Sequence, residues 1–342
     1  MLIGLDATYS LGKNLSGVGV YSREMMFGLA RAHPAERLRF YYRPHRYFKS
    51  FSERLPRNAG RRLLRGEPRV ELFHALNQRV EARARRSVTT FHDLFVMTGD
   101  YSSPDFRSRF TAQARQAADN SDAIIAVSRF TALQVEQHLG VDASRIFVVP
   151  HGASIPVVMS NAPRENVILF VGVIQRRKNV GRLVKAFEQV PAGWRLILAG
   201  ASEGYGAEDE LRAVEGSPRR GDIDVVGHQS AAQLDLLYAR ARIFAFPSLD
   251  EGFGMPVLEA MARGVPVITS NCSAMPEVAG GAAMLVDPLS VEEIGDALAR
   301  LCADEPLRED LIAQGRQRAK SFTWESAVAQ TWTLYEKLLA KT

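Results

Sequence analysis

The sequence has little cysteine, no long apolar run and no secretion signal. Of its 342 residues only Cys272 and Cys302 are cysteines, and they stand at no spacing that ligates a metal. No run of about 18 uncharged apolar residues occurs, and the N-terminus enters a strand-like segment instead of a signal-peptide pattern. These absences predict a cytoplasmic protein with isolated thiols, no transmembrane helix and no metal site.

A complete dinucleotide-binding fingerprint is also absent. Gly17 and Gly19 lie in a predicted loop before a helical segment, but Ser22 occupies the third glycine position. The loop also begins about ten residues after the first predicted strand, so a nicotinamide-dependent oxidoreductase is disfavoured. On its own the loop is typical either of a flexible turn or of a backbone that approaches a phosphate or sugar closely.

Charge is unevenly distributed along the chain. Residues 1 to 155 hold 23 basic and 14 acidic side chains, whereas the remainder holds 20 and 24, for a net charge of +5. Between residues 43 and 65 cations interleave with apolar side chains, which predicts a basic amphipathic helix interrupted at Pro56 and Gly60. Residues 43–86 are therefore a candidate contact with an anionic membrane or a diphosphate-bearing substrate, with a solvated surface as the alternative. No nucleic-acid-binding module accompanies them.

Short apolar runs alternate with helical patterns along the whole chain. This alternation predicts parallel β-α-β units, with ligand loops at the carboxyl ends of the strands. The length suffices for two such doubly wound domains, joined near residues 160–164, and a final amphipathic helix is predicted over Trp324 to Leu339. The predicted strands are Leu2 to Leu5, Leu38 to Tyr42, Val70 to Phe73, Val88 to Phe91, Ala123 to Val127, Ile146 to Val149, Val167 to Val171, Arg195 to Ala199, Ile223 to Val226, Ile243 to Phe246, Val265 to Thr269 and Ala283 to Val286.

The segment from Pro247 to Glu259 organises the second half. It follows a predicted buried strand and enters a helix with Pro256 in its first turn, so free backbone N–H groups and the helix dipole make it a candidate anion site. Glu251 and Glu259 bracket the turn. On one helix they would stand roughly 12 Å apart at about 1.5 Å per residue, too far for a glycosidase pair, so we expect them to hold opposite ends of one extended ligand.

Other polar side chains also follow predicted strands. His92 and Asp93 come directly after one strand, where they either contact a ligand or cap the following turn, and His74 and Asn77 follow another. Arg177 and Lys178 stand at a strand-to-helix junction, where a diphosphate would bind.

Taken together, these segments resemble the retaining glycosyltransferases of family 4, which have the GT-B fold. The resemblance covers essentially the whole chain. It rests on the acid-x7-acid arrangement from Glu251 to Glu259 and on several shorter matches in the same order. Those matches are Gly17-Val18-Gly19-Val20-Tyr21, His92-Asp93-Leu94, Val127-Ser128-Arg129-Phe130-Thr131, Pro150-His151-Gly152, Arg177-Lys178-Asn179, Ala260-Met261-Ala262-Arg263-Gly264 and Pro276-Glu277-Val278-Ala279-Gly280.

The resemblance implies an acceptor-binding Rossmann-like domain over residues 1–160 and a nucleotide-sugar-binding one over 161–322, facing across a cleft. Residues 323–342 would form a helix that crosses back to the first domain. Glu259 would hold the ribose, Arg177 and Lys178 the diphosphate, and Glu251 the transferred sugar, with His92 beside its reacting carbon. Further donor contacts are implied for Gly252, Phe253, Gly254, Gly17, Gly19 and Gly172. Acceptor contacts, or support for residues that make them, are implied for Asp93, His74 and Asn77.

The implied reaction is retaining, metal-independent hexosyl transfer without a cofactor. The expected donor is GDP-mannose and the expected acceptor a glycan or lipid-linked hydroxyl in bacterial surface polysaccharide assembly, at the inner face of the membrane. The alternative is a non-catalytic nucleotide-sugar-binding protein or a sugar-nucleotide epimerase with the same fold.

Overall fold

The computed structural model describes residues 1–12, 15–81, 83–153 and 163–340. The chain divides into two compact units: unit 1 comprises Met1–Gly152 and Phe322–Thr342, and unit 2 comprises Ala153–Ser321. The predicted boundary between residues 160 and 161 lies outside the described residues. None of the described helices is both long and apolar enough to span a bilayer.

Unit 1 contains a seven-stranded sheet in which every neighbouring pair of strands is parallel. The strand order is β3-β2-β1-β4-β5-β6-β7. Its elements are β1 (Leu2–Asp6), α1 (Gly17–Ala32), β2 (Arg37–Tyr42), α2 (Pro44–Tyr47), β3 (Ala59–Leu63), β4 (Leu72–Ala75), β5 (Ser87–Phe91), α3 (Phe95–Thr98), α4 (Pro104–Asp119), β6 (Ala123–Ala126), α5 (Arg129–Leu139), β7 (Ile146–Val148) and the chain's last helix, α13 (Trp324–Ala340), with 3-10 turns at Thr8–Ser10, Phe48–Ser52 and Ala143–Arg145.

Helix α13 packs against α1 within unit 1, which confirms the predicted return of the last helix to the first domain. The two helices approach so closely that a Cβ on Gly28 would lie 2.6 Å from Val328 Cγ2. The ring of Trp332 stacks on His33 with centroids 3.6 Å apart. The chain's two ends therefore share one hydrophobic core.

The basic segment is the main departure from the predicted fold. In place of the basic helix interrupted at Pro56 and Gly60, the structure has the short α2, a 3-10 turn and then β3 at the edge of the sheet. The arginines Arg61 and Arg62 lie on this edge strand, where charged side chains discourage pairing with another sheet. The six strands predicted in the first half are otherwise present, within two residues at each end.

Unit 2 contains a six-stranded parallel sheet with the order β10-β9-β8-β11-β12-β13, the doubly wound arrangement expected from the sequence. Its elements are β8 (Val167–Val171), α6 (Val180–Phe187), β9 (Arg195–Ala199), α7 (Ala207–Glu215), β10 (Ile223–Gly227), α8 (Ala231–Arg240), β11 (Ile243–Phe246), α9 (Met255–Ala262), β12 (Val267–Ser270), α10 (Met275–Ala279), β13 (Met284–Val286), α11 (Val291–Ala303) and α12 (Glu305–Ala319), with 3-10 turns at Arg176–Lys178 and Arg220–Asp222.

Each sheet has one point where successive crossovers leave in opposite directions. In unit 1 this switch point lies between β1 and β4, and in unit 2 it lies between β8 and β11. Open α/β sheets bind ligands in the crevice outside the carboxyl ends of the strands at such a point. We therefore expect ligands to bind at the segments that follow these four strands.

Candidate functional site

The switch point of unit 2 brings together two segments that the sequence singled out. The segment after β8 and the segment after β11 are joined by a backbone bond from Leu249 N to the carbonyl of Arg177, 2.7 Å long. The Arg177 guanidinium also donates from Nη1 to the carbonyl of Asp250 at 2.8 Å. Residues 73 positions apart in sequence thus form one rigid junction.

Glu251 lies at the centre of this junction, with both predicted cations on one of its oxygens. Arg177 Nη1 is 2.8 Å from Glu251 Oε1, and Lys178 Nζ donates to the same oxygen. Glu251 is only 7% exposed. Burial raises its pKa, but the positive charges of Arg177 and Lys178 outweigh burial and hold the pKa at about 2. The carboxylate is therefore ionised at neutral pH, and two cations share one of its oxygens.

Asn179 fixes the loop that carries this pair. It adopts the left-handed backbone conformation (φ 61°) and ends the 3-10 turn of Arg176–Lys178. Its side-chain Nδ2 donates to the carbonyls of Pro247 (2.9 Å) and Pro288 (2.6 Å). Sequence reasoning assigned no role to Asn179; the signal available was an asparagine, which tolerates this conformation, between a basic pair and a helix.

The predicted anion turn begins α9 as expected. Gly254 precedes the helix with φ 96°, a conformation that strains any residue with a side chain, and a Cβ there would lie 2.4 Å from Met275 Cε. Gly252 and Phe253 are buried beside it. On the β8 side, a Cβ on Gly200 would lie 1.8 Å from the carbonyl oxygen of Gly172, which requires glycine at this contact.

The start of α6 is less suited to a phosphate than its position after β8 suggests. The backbone N–H of Gly181 donates to Glu210 Oε2 at 2.6 Å. This carboxylate from α7 occupies the first turn of α6, where a bound anion would otherwise accept the same hydrogen bond.

Glu259 has a different environment from Glu251. It lies half-buried on α9, and the hydroxyl of Tyr238 on α8 donates to its Oε2 at 3.2 Å. Burial raises the pKa of Glu259, although the nearby Arg263 lowers it. Arg263 itself lies over the Tyr238 ring at 5.0 Å and bonds Asp235 through two nitrogens. The two acids of the acid-x7-acid arrangement are thus held by separate partners.

In unit 1, both ring nitrogens of His92 contact protein groups. Nε2 lies 2.9 Å from the carbonyl of Leu76, which only accepts, so this nitrogen carries the hydrogen. Nδ1 of the neutral ring then accepts from Nε2 of His151 at 3.3 Å, with the two rings stacked. Burial lowers the pKa of His92 to about 4, so the imidazole is neutral at pH 7. Sequence reasoning did not predict His151 as its partner.

His74 lies inside a buried chain of hydrogen bonds. Its Nδ1 is 2.6 Å from the hydroxyl of Tyr335, and its Nε2 is 2.8 Å from Thr90 Oγ1, which is in turn 2.9 Å from the hydroxyl of Tyr21. Burial lowers the pKa of His74 to about 3. The edge of the Tyr21 ring faces both His92 and His151. A fully buried His74 acts on a ligand only through these neighbours.

The predicted glycine loop is the first turn of a helix. The structure begins α1 at Gly17, with Ser16 Oγ accepting from the N–H of Gly19 at 3.3 Å, so a loop over Ser16 to Tyr21 is wrong. A Cβ on Gly19 would lie 2.9 Å from the carbonyl oxygen of Tyr9. Gly19 therefore permits close packing, while Gly17 remains exposed at the helix start.

An array of charged residues lies at the switch point of unit 1. Arg43, which follows β2, contacts Asp6 at the end of β1 (Nη2–Oδ2, 3.4 Å) and Glu81 after β4 (Nη1–Oε2, 2.8 Å). Arg79 binds the other oxygen of Glu81 at 2.7 Å. We call these four residues the unit 1 array. Sequence reasoning missed it, although Asp6 at the end of the first strand was a usable signal.

Asn77 adjoins the unit 1 array. It lies in the same turn after β4, where its carbonyl accepts from Thr89 Oγ1 at 2.8 Å, and its buried Oδ1 has no hydrogen-bond partner among the described residues. Asp93 is half-buried directly after His92. Within the described ranges, no three histidine, cysteine or acidic side chains cluster as metal ligands.

Two family models together match nearly the whole chain. Residues 10–155 match the model described as Glycosyltransferase Family 4, and residues 156–318 match that of Glycosyl transferases group 1. Among curated proteins, the O-antigen chain mannosyltransferase B of Escherichia coli is 31% identical over 97% of this chain and 99% of its own length.

Solved structures share the fold at lower identity. A sucrose-phosphate synthase from Thermosynechococcus elongatus superposes with a TM-score of 0.77 at 21% identity and covers 100% of both chains. HepE from Anabaena, solved with UDP and glucose, has a TM-score of 0.73 at 15% identity and covers 98% of this chain and 99% of its own. These structural similarities, at low sequence identity, show that the chain has the GT-B fold with its two Rossmann-like domains.

Proposed function

The chain belongs to family 4 of the glycosyltransferases, group 1, and from that premise we propose that it transfers mannose from GDP-mannose with retention of configuration. The acceptor is a hydroxyl of a glycan or lipid-linked glycan in bacterial surface polysaccharide assembly. The observation that carries the proposal is the pairing of Arg177 and Lys178 with Glu251 at the switch point of unit 2. The mannosyltransferase relative from Escherichia coli supports the choice of sugar.

Donor binding follows from the charges of this centre. Arg177 and Lys178 share one carboxylate oxygen of Glu251, so a diphosphate that enters beside them meets two cationic hydrogen-bond donors held together. Glu251, freed from part of this pairing, accepts hydrogen bonds from hydroxyls of the transferred sugar. Glu259 accepts from the ribose hydroxyls, and the start of α9 adds its dipole at the phosphates.

The transfer step needs stabilisation of charge on the leaving group. The bond between the anomeric carbon and the diphosphate oxygen breaks while the acceptor hydroxyl attacks from the same face. A phosphate oxygen of the leaving nucleotide takes the hydroxyl proton, which accounts for retention without an enzymic base. Arg177 and Lys178 stabilise the developing negative charge, a role that a metal ion has in other transferases.

His92 contributes a neutral contact in this scheme. Its pKa of about 4 keeps the ring neutral at pH 7, so it is no general acid there, and its two nitrogens contact Leu76 and His151. We assign it to the donor sugar beside the reacting carbon as a fixed neighbour, not as an acid or base.

The acceptor belongs to unit 1 in this proposal. The unit 1 array contains two acids and two arginines, so its guanidinium groups are already neutralised. Paired carboxylates and guanidinium groups offer both acceptors and donors to sugar hydroxyls, whereas a phosphate would have to displace Asp6 or Glu81. The unpartnered Oδ1 of Asn77 adds an acceptor beside them. These features favour an uncharged sugar as the acceptor.

Residues 43–86 indicate where in the cell the proposed reaction takes place. We place their basic surface against an anionic membrane at the cytoplasmic face, where a lipid-linked acceptor is presented.

The test of function is acceptor-dependent release of nucleotide. The full chain is incubated with GDP-mannose, UDP-glucose, dTDP-glucose or ADP-glucose, with and without a mannose-terminated oligosaccharide on an apolar aglycone, and the product linkage is read by NMR. We expect GDP release only with acceptor and an α-linked product from the α-configured donor. The control variant is Arg195→Ala, which removes one partner of an exposed ion pair and should behave like wild type.

Other outcomes contradict the proposal in distinct ways. A β-linked product or a trapped glycosyl-enzyme contradicts the retaining step, and preference for another nucleotide contradicts the donor. Binding of GDP-mannose without any transfer supports a non-catalytic binding protein, and conversion of the free sugar nucleotide supports an epimerase.

A further inference from the structure

The turn between β2 and β3 in unit 1 exposes two aromatic side chains. Phe48 is 83% exposed, the highest fraction among the described large hydrophobic residues, and Phe51 is 60% exposed. Their rings lie beside Tyr47, with centroid distances of 5.8 and 5.6 Å. We call these three residues the aromatic tip. Soluble surfaces seldom place large apolar side chains together in water, so the aromatic tip indicates contact with an apolar partner.

Hydrogen bonds from β3 and within the turn hold the aromatic tip in place. On β3, Arg61 donates from Nε to the carbonyl of Ser50 at 3.0 Å and from Nη2 to that of Glu53, and its guanidinium lies 5.1 Å from the centre of the Phe51 ring. Ser50 Oγ donates to the carbonyl of Tyr47 at 2.6 Å. The exposed rings therefore belong to a formed turn, and binding through them costs little ordering entropy.

Positive charges predominate around the aromatic tip. The segment 43–65 holds one acid, Glu53, which pairs with Arg23. Five exposed cations of this segment form no ion pair with a described residue; they are Lys49, Arg54, Arg57, Arg62 and Arg65. An anionic partner is the electrostatic complement of such a surface.

We propose that the aromatic tip inserts Phe48 and Phe51 into the headgroup region of an anionic lipid bilayer while the five exposed cations bind lipid phosphates. Lipid is favoured over nucleic acid because the most exposed groups are apolar rings that protrude from a turn, and aromatic rings with basic flanks suit the interface of a membrane. This inference deepens the membrane contact in the proposed function, but binding requires no sugar transfer.

The experiment measures co-sedimentation of the full chain with vesicles. Vesicles of phosphatidylcholine alone are compared with vesicles that contain about one third phosphatidylglycerol, at low and high salt. We expect binding only to the anionic vesicles, weakened by salt. The double variant Phe48→Ala/Phe51→Ala should bind at least tenfold more weakly, whereas Phe106→Ala, which removes an exposed phenylalanine elsewhere in unit 1, should bind like wild type.

Insertion is distinguished from surface adsorption by fluorescence. Phe48→Trp should show a blue-shifted emission on anionic vesicles and quenching by lipids brominated in their acyl chains. Arg54→Gln/Arg57→Gln/Arg62→Gln should weaken binding while keeping Arg61, which supports the turn, intact. Transfer to a soluble acceptor should be unchanged in all these variants.

Several results would overturn the inference. They are equal binding to neutral vesicles, wild-type binding by the Phe48→Ala/Phe51→Ala variant, no lipid-dependent quenching of the added fluorescence in the Phe48→Trp variant, or tighter binding to a DNA duplex than to anionic vesicles. Because vesicle binding is measured without donor or acceptor, its failure leaves the proposed transfer reaction untouched, and failed transfer leaves the vesicle result interpretable.

Discussion

The two switch points share a topology and differ in their charges. In unit 2, Arg177 and Lys178 share one oxygen of Glu251, whereas in unit 1 two arginines pair with the acids Asp6 and Glu81. Two cationic donors held side by side suit a diphosphate, and arginines alternating with carboxylates suit neutral hydroxyls. The same sheet arrangement therefore provides two binding chemistries, because only the side chains after the strands differ.

The largest expected difference between the two units is the effect of acid on their stability. Unit 1 buries His74, His92 and His151 in neutral form, with pKa values lowered to about 3 for His74, about 4 for His92 and well below 6.5 for His151. The unfolded chain binds these protons first, so unit 1 loses stability as pH falls below about 6.5. Each imidazole contributes up to about 1.4 kcal/mol per pH unit.

Unit 2 should resist the same change. Its one histidine, His228, is exposed. The lowered pKa of Glu251 adds stability that is complete above the ordinary value of 4.5 and is lost only as pH falls from there toward 2. The raised pKa of Glu259 acts in the opposite direction, since protonation relieves its burial.

Tryptophan positions allow the units to be followed separately. Trp324 and Trp332 lie in unit 1 and Trp194 in unit 2, so Trp194→Phe reports on unit 1 and Trp324→Phe/Trp332→Phe reports on unit 2. For each variant, the urea concentration at the unfolding midpoint is measured at pH 7.5 and at pH 5.5. The midpoint should differ much more between the two pH values for the first variant than for the second. Equal shifts would contradict the assignment of acid sensitivity to the histidines of unit 1.

Removal of a cation from unit 2 should have the next largest effect. We expect Lys178→Ala to lower kcat by about 10²–10³-fold, because one donor of positive charge to the leaving diphosphate is lost. Steady-state kinetics with saturating donor measure this, with Arg195→Ala as a control at a surface ion pair. A wild-type kcat in Lys178→Ala would contradict the placement of the diphosphate beside Lys178.

A substitution in the unit 1 array should have a smaller and different effect. Glu81→Gln removes a charged acceptor for hydroxyls, so we expect the acceptor KM to rise about tenfold while the donor KM stays the same. The control is Arg83→Ala, which breaks a nearby exposed pair with Asp122. A change in donor KM alone, or better use of the acceptor after the charge is removed, would contradict the assignment of the acceptor to unit 1.

The local part of this molecule was predictable and the long-range part was not. The strands, the turn before α9 and the basic pair at Arg177 follow from apolar periodicity and turn residues. The pairing of Arg43 with Glu81, or of His74 with Tyr335, joins residues 38 and 261 positions apart, and no local pattern records such contacts.

Two errors have physical causes. The strand β3 contains Gly60, Arg61 and Arg62, and its position at the sheet edge allows the polar composition that hid it. Gly17 and Gly19 predicted a loop because glycine weakens helices, yet packing against Tyr9 makes Gly19 favourable inside α1. Tertiary contacts outweighed local propensity in both cases.

The hydrogen-bonded chain from Tyr335 to Tyr21 also bears on how the protein is synthesised. Unit 1 holds the first 152 residues, but its core includes Tyr335 and Trp324 from the last helix. A nascent chain therefore exposes the α1 surface that α13 covers until α13 has been made, whereas the residues of unit 2 are contiguous and leave the ribosome earlier. The first unit made is the last to be completed, and a ribosome that stalls within the codons of the last helix leaves it open to proteases.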